Sequence, residues 1–175
     1  MKIAETFAVQ APVERVWRFI TDPGQVAPCV PGCQGHEVLG PRQYKASVRV
    51  AVGPIKTVFN VTVELTEERA PTFLASTTRG EEGSRASTLT ARNELRLAPD
   101  AEGMTVVSYS SEISLVGRLG KFGLGMMKKK ARKLGEEFAE NFRALVEADG
   151  AADHAGAGAT FADEAQHEVP PAGHG

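Results

Sequence analysis

Apolar and polar residues alternate along most of the first 115 residues, and a repeat of two is the spacing of a β-strand with one buried face. The alternation predicts strands at residues 2–9, 36–40, 44–52, 55–65, 72–79, 89–97 and 104–115. After residue 35 no helical pattern separates one predicted strand from the next, and such short connections join antiparallel strands. The pattern therefore predicts a single antiparallel sheet of seven strands.

Helical spacing occurs at two places outside these strands. The first follows strand 1, where Pro12 stands before an apolar face in residues 13–20 and a Pro-Gly turn then ends the helix. Residues 25–33 contain two prolines and predict only a further short helical turn. The second is a helix of about eight turns over residues 117–148. Its apolar face carries Met127, Ala131, Leu134, Phe138, Phe142 and Leu145.

A long helix with one apolar face needs a broad apolar surface to pack on, and the sheet supplies it. We therefore predict an α+β fold in which the seven-stranded sheet wraps around the C-terminal helix, with two short helices after strand 1. The space between helix and sheet is either a packed core or an apolar cavity, and the sequence leaves both open. The residues predicted to line such a cavity are Phe7, Trp17, Ile20, Val26, Cys29, Tyr44, Val48, Val50, Phe59, Val61, Phe73, Leu89, Tyr109, Leu119, Phe122, Met126 and Met127.

Composition bounds the domain and its location. The 175 residues suit one domain, and no apolar run reaches the roughly 18 residues of a membrane span. The first residues lack the apolar segment of a signal peptide, so we expect a cytoplasmic protein. Residues 149–175 are rich in Ala, Gly and Pro and contain acidic side chains but no lysine or arginine. This predicts a disordered tail after a folded domain of residues 1–148.

Four short motifs carry a resemblance to a known family. They are APVERVWRFITDP at residues 11–23, VAPCVPGC at 26–33, VGPIKTVF at 52–59 and GRLGKFG at 117–123. With them, residues 1 to 148 resemble the CoxG family of carbon monoxide dehydrogenase subunits, a branch of the START/Bet v 1-like (SRPBCC) superfamily. The resemblance implies a helix-grip fold with no covalent cofactor.

The same resemblance implies an accessory role beside a molybdenum hydroxylase of the carbon monoxide dehydrogenase type. Family members recruit that enzyme to the membrane or carry a lipophilic quinone, here menaquinone or ubiquinone. Some members have a C-terminal membrane anchor, whereas this tail is polar. The implied location is therefore transient and peripheral, at the inner face of the plasma membrane.

Four glycines, Gly117, Gly120, Gly123 and Gly125, cluster where the last strand meets the long helix. Glycine inside a helix costs up to about 1 kcal/mol, so this segment is either a loose connector or a mobile lid. The basic run after it is either a solvated helix face or a docking surface for an anionic membrane or an acidic protein. The residues predicted to dock are Leu119, Phe122, Leu124, Lys128, Lys129 and Lys130. Nucleic acid is not expected as a partner, because the net charge is −2.

The sequence offers few catalytic candidates. Three of the four histidines lie in the tail, which leaves His36 as the single candidate base. Cys29 and Cys33 with His36 would give three metal ligands, but structural zinc sites take four and no second pair exists. We therefore predict no catalytic residue and no metal, and favour a carrier of a lipophilic small molecule. The alternatives are an enzyme of the cyclase or hydratase type found in the superfamily, or a general lipid-binding protein.

Overall fold

The computed structural model describes residues 1–167, and describes side chains for residues 1–150. Its strands form one sheet, with bounds β1 (Lys2–Val9), β2 (Cys33–Gly40), β3 (Gln43–Val52), β4 (Ile55–Arg69), β5 (Phe73–Glu82), β6 (Ser87–Pro99) and β7 (Thr105–Gly117). They lie in the order β1-β7-β6-β5-β4-β3-β2, and every neighbouring pair is antiparallel. The predicted seven-stranded antiparallel sheet is confirmed.

Strand β4 is longer than its apolar repeat predicts, and an irregularity in its pairing explains the difference. Its register against β5 shifts between Leu65 and Glu67. An extra residue at such a bulge reverses the faces that the following side chains occupy. The polar residues from Glu67 to Arg69 therefore continue the strand although they break the repeat.

Three α-helices accompany the sheet: α1 (Val13–Ile20), α2 (Pro23–Val26) and α3 (Leu124–His167). A 3-10 turn at Ala27–Cys29 follows α2, and another at Arg118–Phe122 precedes α3. The long helix thus begins at Leu124 and not at Gly117 as predicted. Gly123, just before it, has a φ of +85°, a left-handed conformation that interrupts a helix and that glycine adopts readily.

The predicted tail, residues 149–175, lies outside the described side chains except at its first two residues. Its disorder and the domain boundary at residue 148 therefore stay predictions.

Two clusters of buried apolar side chains hold the helices on the sheet. The larger one joins β1, α1, β7 and the middle of α3 through Val9, Val16, Val107, Phe142 and Val146, all of them fully buried. The smaller one lies where β3 turns into β4 and contains Val52, Phe59 and Leu119. Leu119 belongs to the 3-10 turn before α3, so the smaller cluster holds the segment that leads into the long helix against the β3–β4 hairpin.

Candidate functional site

An apolar cavity of about 440 Å³ lies between these two clusters, under the first turns of α3. Its floor is the inner face of the sheet from β3 to β7, where inward positions such as Val48, Val50 and Val61 recur every second residue. Its roof is one stripe of α3, made by Met127, Ala131, Leu134, Gly135 and Phe138. The residues after α1 close one end with Pro23, Val26 and Val30. Its volume falls in the range of ordinary small-molecule sites, about 300–1,000 Å³.

The structure brings most of the predicted cavity residues together. Those on its wall are Ile20, Val26, Tyr44, Val48, Val50, Phe59, Val61, Leu89, Tyr109, Leu119 and Met127. The remaining six, considered next, lie elsewhere.

Phe73 faces the other side of the sheet, and its prediction as a cavity residue is wrong. Its neighbour Leu74 takes the inward position and lines the cavity. On the outer face the guanidinium carbons of Arg69 and Arg96 lie 4.3 and 4.7 Å from the centroid of the Phe73 ring. These two residues are also its cross-strand neighbours on β4 and β6. The ring is therefore buried by cation–π contacts rather than by a ligand space.

Phe7, Trp17 and Cys29 belong to the larger core cluster and not to the cavity wall. The guanidinium of Arg143 on α3 lies 5.7 Å from the Phe7 ring and donates from Nε to the Ala8 carbonyl, so this end of the helix is already packed on β1. The Cys29 thiol donates to the carbonyl of Gln25, and burial raises its pKa.

Met126 and Phe122 are the two remaining exceptions. Met126 is 48% exposed, because the neighbouring Met127 occupies the inward position of α3. Phe122 packs on the smaller cluster, and its ring lies against Gly53 in the turn between β3 and β4. Neither side chain is part of the cavity wall.

A polar band crosses the otherwise apolar floor of the cavity, and the sequence reasoning did not identify it. It consists of Ser76 and Thr78 on β5, Asn93 on β6 and Ser111 on β7. The Asn93 amide nitrogen donates to Ser76 Oγ at 3.2 Å and to Thr78 Oγ1 at 3.1 Å, and Ser111 Oγ donates to Asn93 Oδ1 at 2.7 Å. The sequence nevertheless contains a signal for it, since Asn93 lies between Ala91 and Leu95 at an inward position of its strand.

Two tyrosines on the wall keep their protons. Burial, and then the nearby thiols of Cys33 and Cys29, raise the pKa of Tyr44 to about 12. Burial, and then the carboxylate of Glu5, raise the pKa of Tyr109. The Tyr109 hydroxyl is buried and lies near the Glu5 carboxylate, but it makes no hydrogen bond of good geometry with any described residue. Both side chains therefore act as neutral phenols and not as bases.

A second hollow of about 360 Å³ adjoins the cavity beside the start of α3, and it shares Met1, Ile113, Leu115 and Met127 with the cavity wall. Its other residues are Ser114, Gly120, Gly123 and Leu124. We therefore identify this hollow as the mouth of the cavity.

The connector between β7 and α3 is fixed at its first residues. Arg118 forms a bidentate pair with Glu82, whose carboxylate is fully buried, with Nη2–Oε1 at 2.7 Å and Nε–Oε2 at 3.1 Å. The Leu119 amide donates to Ser87 Oγ at 3.1 Å. At Gly117, with a φ of +109°, a Cβ atom would overlap the Ala86 carbonyl oxygen. The connector is therefore anchored to the hairpin between β5 and β6, and the motion of a lid stays a prediction.

The predicted docking residues differ in exposure. Leu119 is only 1% exposed and holds the smaller cluster, so its prediction as a docking residue is wrong. Phe122 is half-buried, while Leu124 at the mouth is 68% exposed. Lys129 is exposed, and Lys128 and Lys130 are half-buried, with Lys130 at the cavity wall.

The candidate metal ligands and the candidate base lie apart from the cavity. His36 is exposed on β2, and Cys33 is half-exposed with its thiol directed at the Gly35 carbonyl. In the described part of the chain, no group of three His, Cys, Asp or Glu side chains is arranged to hold a metal ion. Among those same residues, no helix combines the length and hydropathy that crossing a membrane requires.

Comparison with known proteins agrees with this architecture. The family model for CoxG, a subunit of carbon monoxide dehydrogenase, matches residues 6–147. A conserved protein from Geobacillus kaustophilus superposes with a TM-score of 0.77 at 22% identity, over 84% of this chain and 95% of that one. No match to a curated protein is significant.

Two further solved structures share the fold. A START superfamily protein from Mycobacterium smegmatis has a TM-score of 0.61 at 17% identity, over 83% of this chain and 97% of that one. The Zhui aromatase/cyclase from Streptomyces sp. R1128 has a TM-score of 0.59 at 17% identity, over 84% and 93%. At such identities the likeness concerns the fold, and it confirms a START-like architecture.

Proposed function

The chain belongs to the CoxG family of carbon monoxide dehydrogenase subunits, and from that premise we propose that it is a non-enzymatic accessory protein that binds a lipophilic ligand. In this proposal it links a molybdenum hydroxylase of the carbon monoxide dehydrogenase type to the membrane or the respiratory chain. The family description supports the enzyme partner, and the apolar cavity supports the ligand.

The cavity is the observation that carries this proposal, because an empty apolar space of its size is costly. Residual cavities in protein cores cost about 24 cal/mol per Å³, so 440 Å³ corresponds to roughly 10 kcal/mol as an upper bound. That is comparable to the whole stability of a typical domain, about 5–15 kcal/mol. Water entering through the mouth lowers the cost, but apolar walls offer it few hydrogen bonds. An apolar ligand would remove most of this penalty.

The volume also limits what the cavity holds. A water molecule occupies about 30 Å³ in the liquid, so the cavity accommodates roughly fifteen groups of that size. This suits the ring of menaquinone or ubiquinone with the first part of its isoprenoid chain. The rest of the chain would leave through the mouth, beside Leu115 and Leu124.

The surface around the mouth supports transient binding to an anionic lipid surface. Residues 116–129, which lead into and begin α3, carry three exposed apolar side chains, Val116, Leu124 and Met126, and the exposed Lys121 and Lys129. Each basic residue near an anionic membrane contributes about 1 kcal/mol, and inserted apolar side chains add to this. A prenyl chain leaving the mouth would then pass directly into the lipid. The proposed location is therefore peripheral, at the inner face of the plasma membrane.

We favour a carrier over an enzyme, because the cavity wall offers little acid–base chemistry. Its described residues include no histidine and no cysteine, and its tyrosines are held neutral. Its charged side chains among the described residues are Lys130 and Glu94, and Glu94 is exposed with its Oε2 atom 3.8 Å from Arg96 Nη2. No observation specifically favours a cyclase or hydratase reaction.

Organic extraction followed by mass spectrometry tests the ligand proposal. We expect an isoprenoid quinone or another prenyl lipid in the extract of the purified protein, or after incubation with menaquinone. Ala131→Phe should lose it, because the new ring fills the space under α3, whereas Ala144→Phe places the same ring at an exposed position of that helix. No bound ligand under either condition would contradict the proposal, and equal retention by both variants would contradict the assignment to this cavity.

Vesicle flotation tests the docking surface. The full chain should float with vesicles containing anionic phosphatidylglycerol, and this binding should weaken as salt rises. Leu124→Asp should reduce flotation strongly, whereas Leu39→Asp, an exposed site near the other end of the sheet, should not. If flotation changes neither with the salt concentration nor with Leu124→Asp, a lipid surface as the partner would be contradicted.

The link to the hydroxylase is tested by electron transfer. A carbon monoxide dehydrogenase-type enzyme purified from the same cells should reduce menaquinone in vesicles faster with this protein than without it. Ala131→Phe should abolish the increase and Ala144→Phe should preserve it. An unchanged rate with the ligand-loaded protein would contradict the link while leaving ligand binding intact.

A further inference from the structure

We propose that the polar band on the cavity floor binds a carbonyl-type oxygen of the ligand, through the hydroxyl groups of Ser76 and Thr78. This inference rests on the proposed function, in that the cavity is taken as the ligand site. It adds the side chains that would bind an oxygen of the ligand, and with them the requirement for a hydrogen-bond-accepting oxygen on an otherwise apolar molecule.

The sheet register places the band as one unit facing the cavity. Ser76 is the cross-strand neighbour of Asn93, and Asn93 is the neighbour of Ser111. Neighbours in an antiparallel pair share a face, and Thr78, two residues along β5, shares it too. The four polar side chains therefore lie side by side across β5, β6 and β7, all on the cavity wall.

The hydrogen bonds within the band leave two hydroxyl protons without an acceptor. An asparagine amide has two N–H donors, and Asn93 uses them on Ser76 and Thr78. Its oxygen accepts from Ser111. Ser76 and Thr78 thus serve as acceptors to Asn93 while each keeps its own O–H proton, for which the described residues provide no acceptor. The Asn93 amide fixes both hydroxyl oxygens, so the two protons are available at one place on the floor.

The two hydroxyl protons of Ser76 and Thr78 determine which chemical group of a ligand would bind here. Hydroxyl protons in an apolar space need an acceptor, and leaving them unsatisfied costs free energy. A carbonyl oxygen has two lone pairs and accepts from both hydroxyls at once. A hydrocarbon does not accept, and an ammonium group has only donors. The band therefore selects a ketone, quinone or ester oxygen over a plain hydrocarbon of the same shape.

A purely structural role explains the band less well. The sheet does not need these side chains, because its strands pair through their backbones. Replacing a buried polar cluster by apolar residues of similar shape is commonly neutral or stabilising. Inward positions nearby on the same strands are occupied by Leu74, Leu89 and Leu95. Apart from the two tyrosine hydroxyls and Glu94, the polar side chains of the floor thus belong to this one band.

A matched pair of probes tests the inference on the full chain. We use 2,3-dimethyl-1,4-naphthoquinone and 2,3-dimethylnaphthalene, which share a ring system and differ in the two carbonyl oxygens. Equilibrium dialysis should show that the wild-type protein binds the quinone roughly 10–50-fold more tightly than the hydrocarbon, as expected for two new hydrogen bonds. The double variant Ser76→Ala/Thr78→Val, which nearly preserves volume, should reduce this ratio to about 3-fold or less. Its affinity for the hydrocarbon should be unchanged.

The infrared carbonyl stretch of the bound quinone gives a second readout. Hydrogen bonding lowers its frequency, so the stretch should be lower in the wild-type protein than in the double variant. If the double variant does not fold, Thr78→Val alone carries the same test with a smaller shift. The wild-type comparison of the two probes needs no variant at all.

The outcomes separate this inference from the proposed function. Equal affinity of the wild-type protein for both probes overturns the role of the band and leaves the apolar cavity as a ligand site. An undiminished preference for the quinone in the folded double variant also overturns it. If neither probe binds, the proposed function fails and this inference fails with it.

Discussion

Replacing Arg118 with glutamine should destabilise the protein by an amount that depends on pH. The Arg118 guanidinium is the main cause that lowers the pKa of the Glu82 carboxyl from its ordinary 4.5 to about 2. The hydroxyls of Ser87 and Thr57 act in the same direction, while burial opposes them. Glutamine keeps hydrogen-bonding capacity but removes the charge, so the variant isolates the ionic part of the contact.

The expected magnitude follows from the burial of the carboxylate and from the exposure of its partner. Removing one partner of a buried ion pair commonly costs about 3–5 kcal/mol. The Glu82 carboxylate is fully covered, but the Arg118 side chain that covers it is 43% exposed, so solvent screens part of the interaction. Two hydroxyl groups also remain near the carboxylate in the variant. We therefore expect the free energy of unfolding at pH 7 to fall by about 2 kcal/mol.

The direction of the pH dependence is fixed by the sign of the shift. Because the folded-state pKa lies below the unfolded one, the stabilisation is complete above about pH 4.5 and is lost as the pH falls towards 2. Urea unfolding at several pH values from 7 to 3 should show the difference between wild type and variant shrinking over that range.

A control variant separates this effect from a general loss of positive charge. Arg79 is exposed on the same strand as Glu82, and within the described residues it has no acidic partner. Arg79→Gln should change the unfolding free energy by less than about 0.5 kcal/mol. A cost of Arg118→Gln that is the same at pH 3 as at pH 7, or that matches the control, would refute the assignment of the stabilisation to the ionised pair.

Three further substitutions test the packing around the cavity by urea unfolding. Gly135→Ala should cost about 1–3 kcal/mol because its Cβ would overlap the Tyr109 hydroxyl, and adding Tyr109→Phe should recover most of that loss; a loss unaffected by the second change would contradict this cause. Phe142→Ala should cost about 3–5 kcal/mol because the ring is fully buried in the larger cluster, and a cost below 1 kcal/mol would contradict that packing. Thr105→Val should cost about 1–3 kcal/mol, since its hydroxyl donates to the Ala11 carbonyl at 2.7 Å; an unchanged stability would show that water replaces this bond.

Most strands were predictable because burial alternates along them, whereas β2 is exposed at nearly every position and begins three residues before its predicted start. In β1 the apolar Ile3 and Val9 are buried, while Lys2 and Ala4 are exposed, and the predicted bounds equal the observed ones. The end of β4 was not predictable, since the bulge after Leu65 depends on pairing with β5 and leaves no local signal.

Most cavity residues were predictable by phase, and two of the six errors occur where phase is ambiguous. Phe73 and Leu74 are adjacent and both apolar, and so are Met126 and Met127; one member of each pair faces the cavity and the other does not. Because both members of each pair are apolar, hydrophobicity alone does not show which of them faces the cavity. The contact of Arg118 with Glu82 joins residues far apart in sequence, and only the fold brings them together.

The polar band was missed for a different reason. A polar residue in a strand is usually assigned to the solvent face, so Ser76, Asn93 and Ser111 did not enter the predicted wall. If the alternation of inward and outward positions along β6 is counted from the apolar Leu95, and polarity is disregarded, Asn93 falls at an inward position. A search for cavity residues should therefore include polar residues in the buried phase of several neighbouring strands.

The hollow interior results from the sizes of the side chains along α3 and not from loose packing. Where the helix crosses the larger cluster, Phe138 and Phe142 stack at 5.9 Å between ring centroids and fill the space above the sheet. One to two turns earlier the same stripe carries Ala131 and Gly135, which leave that space open. Filling it with a larger side chain would bury more apolar surface, so the protein could gain stability by losing the cavity. Small residues under a helix that is firmly packed at its other end are therefore better explained by ligand binding than by folding.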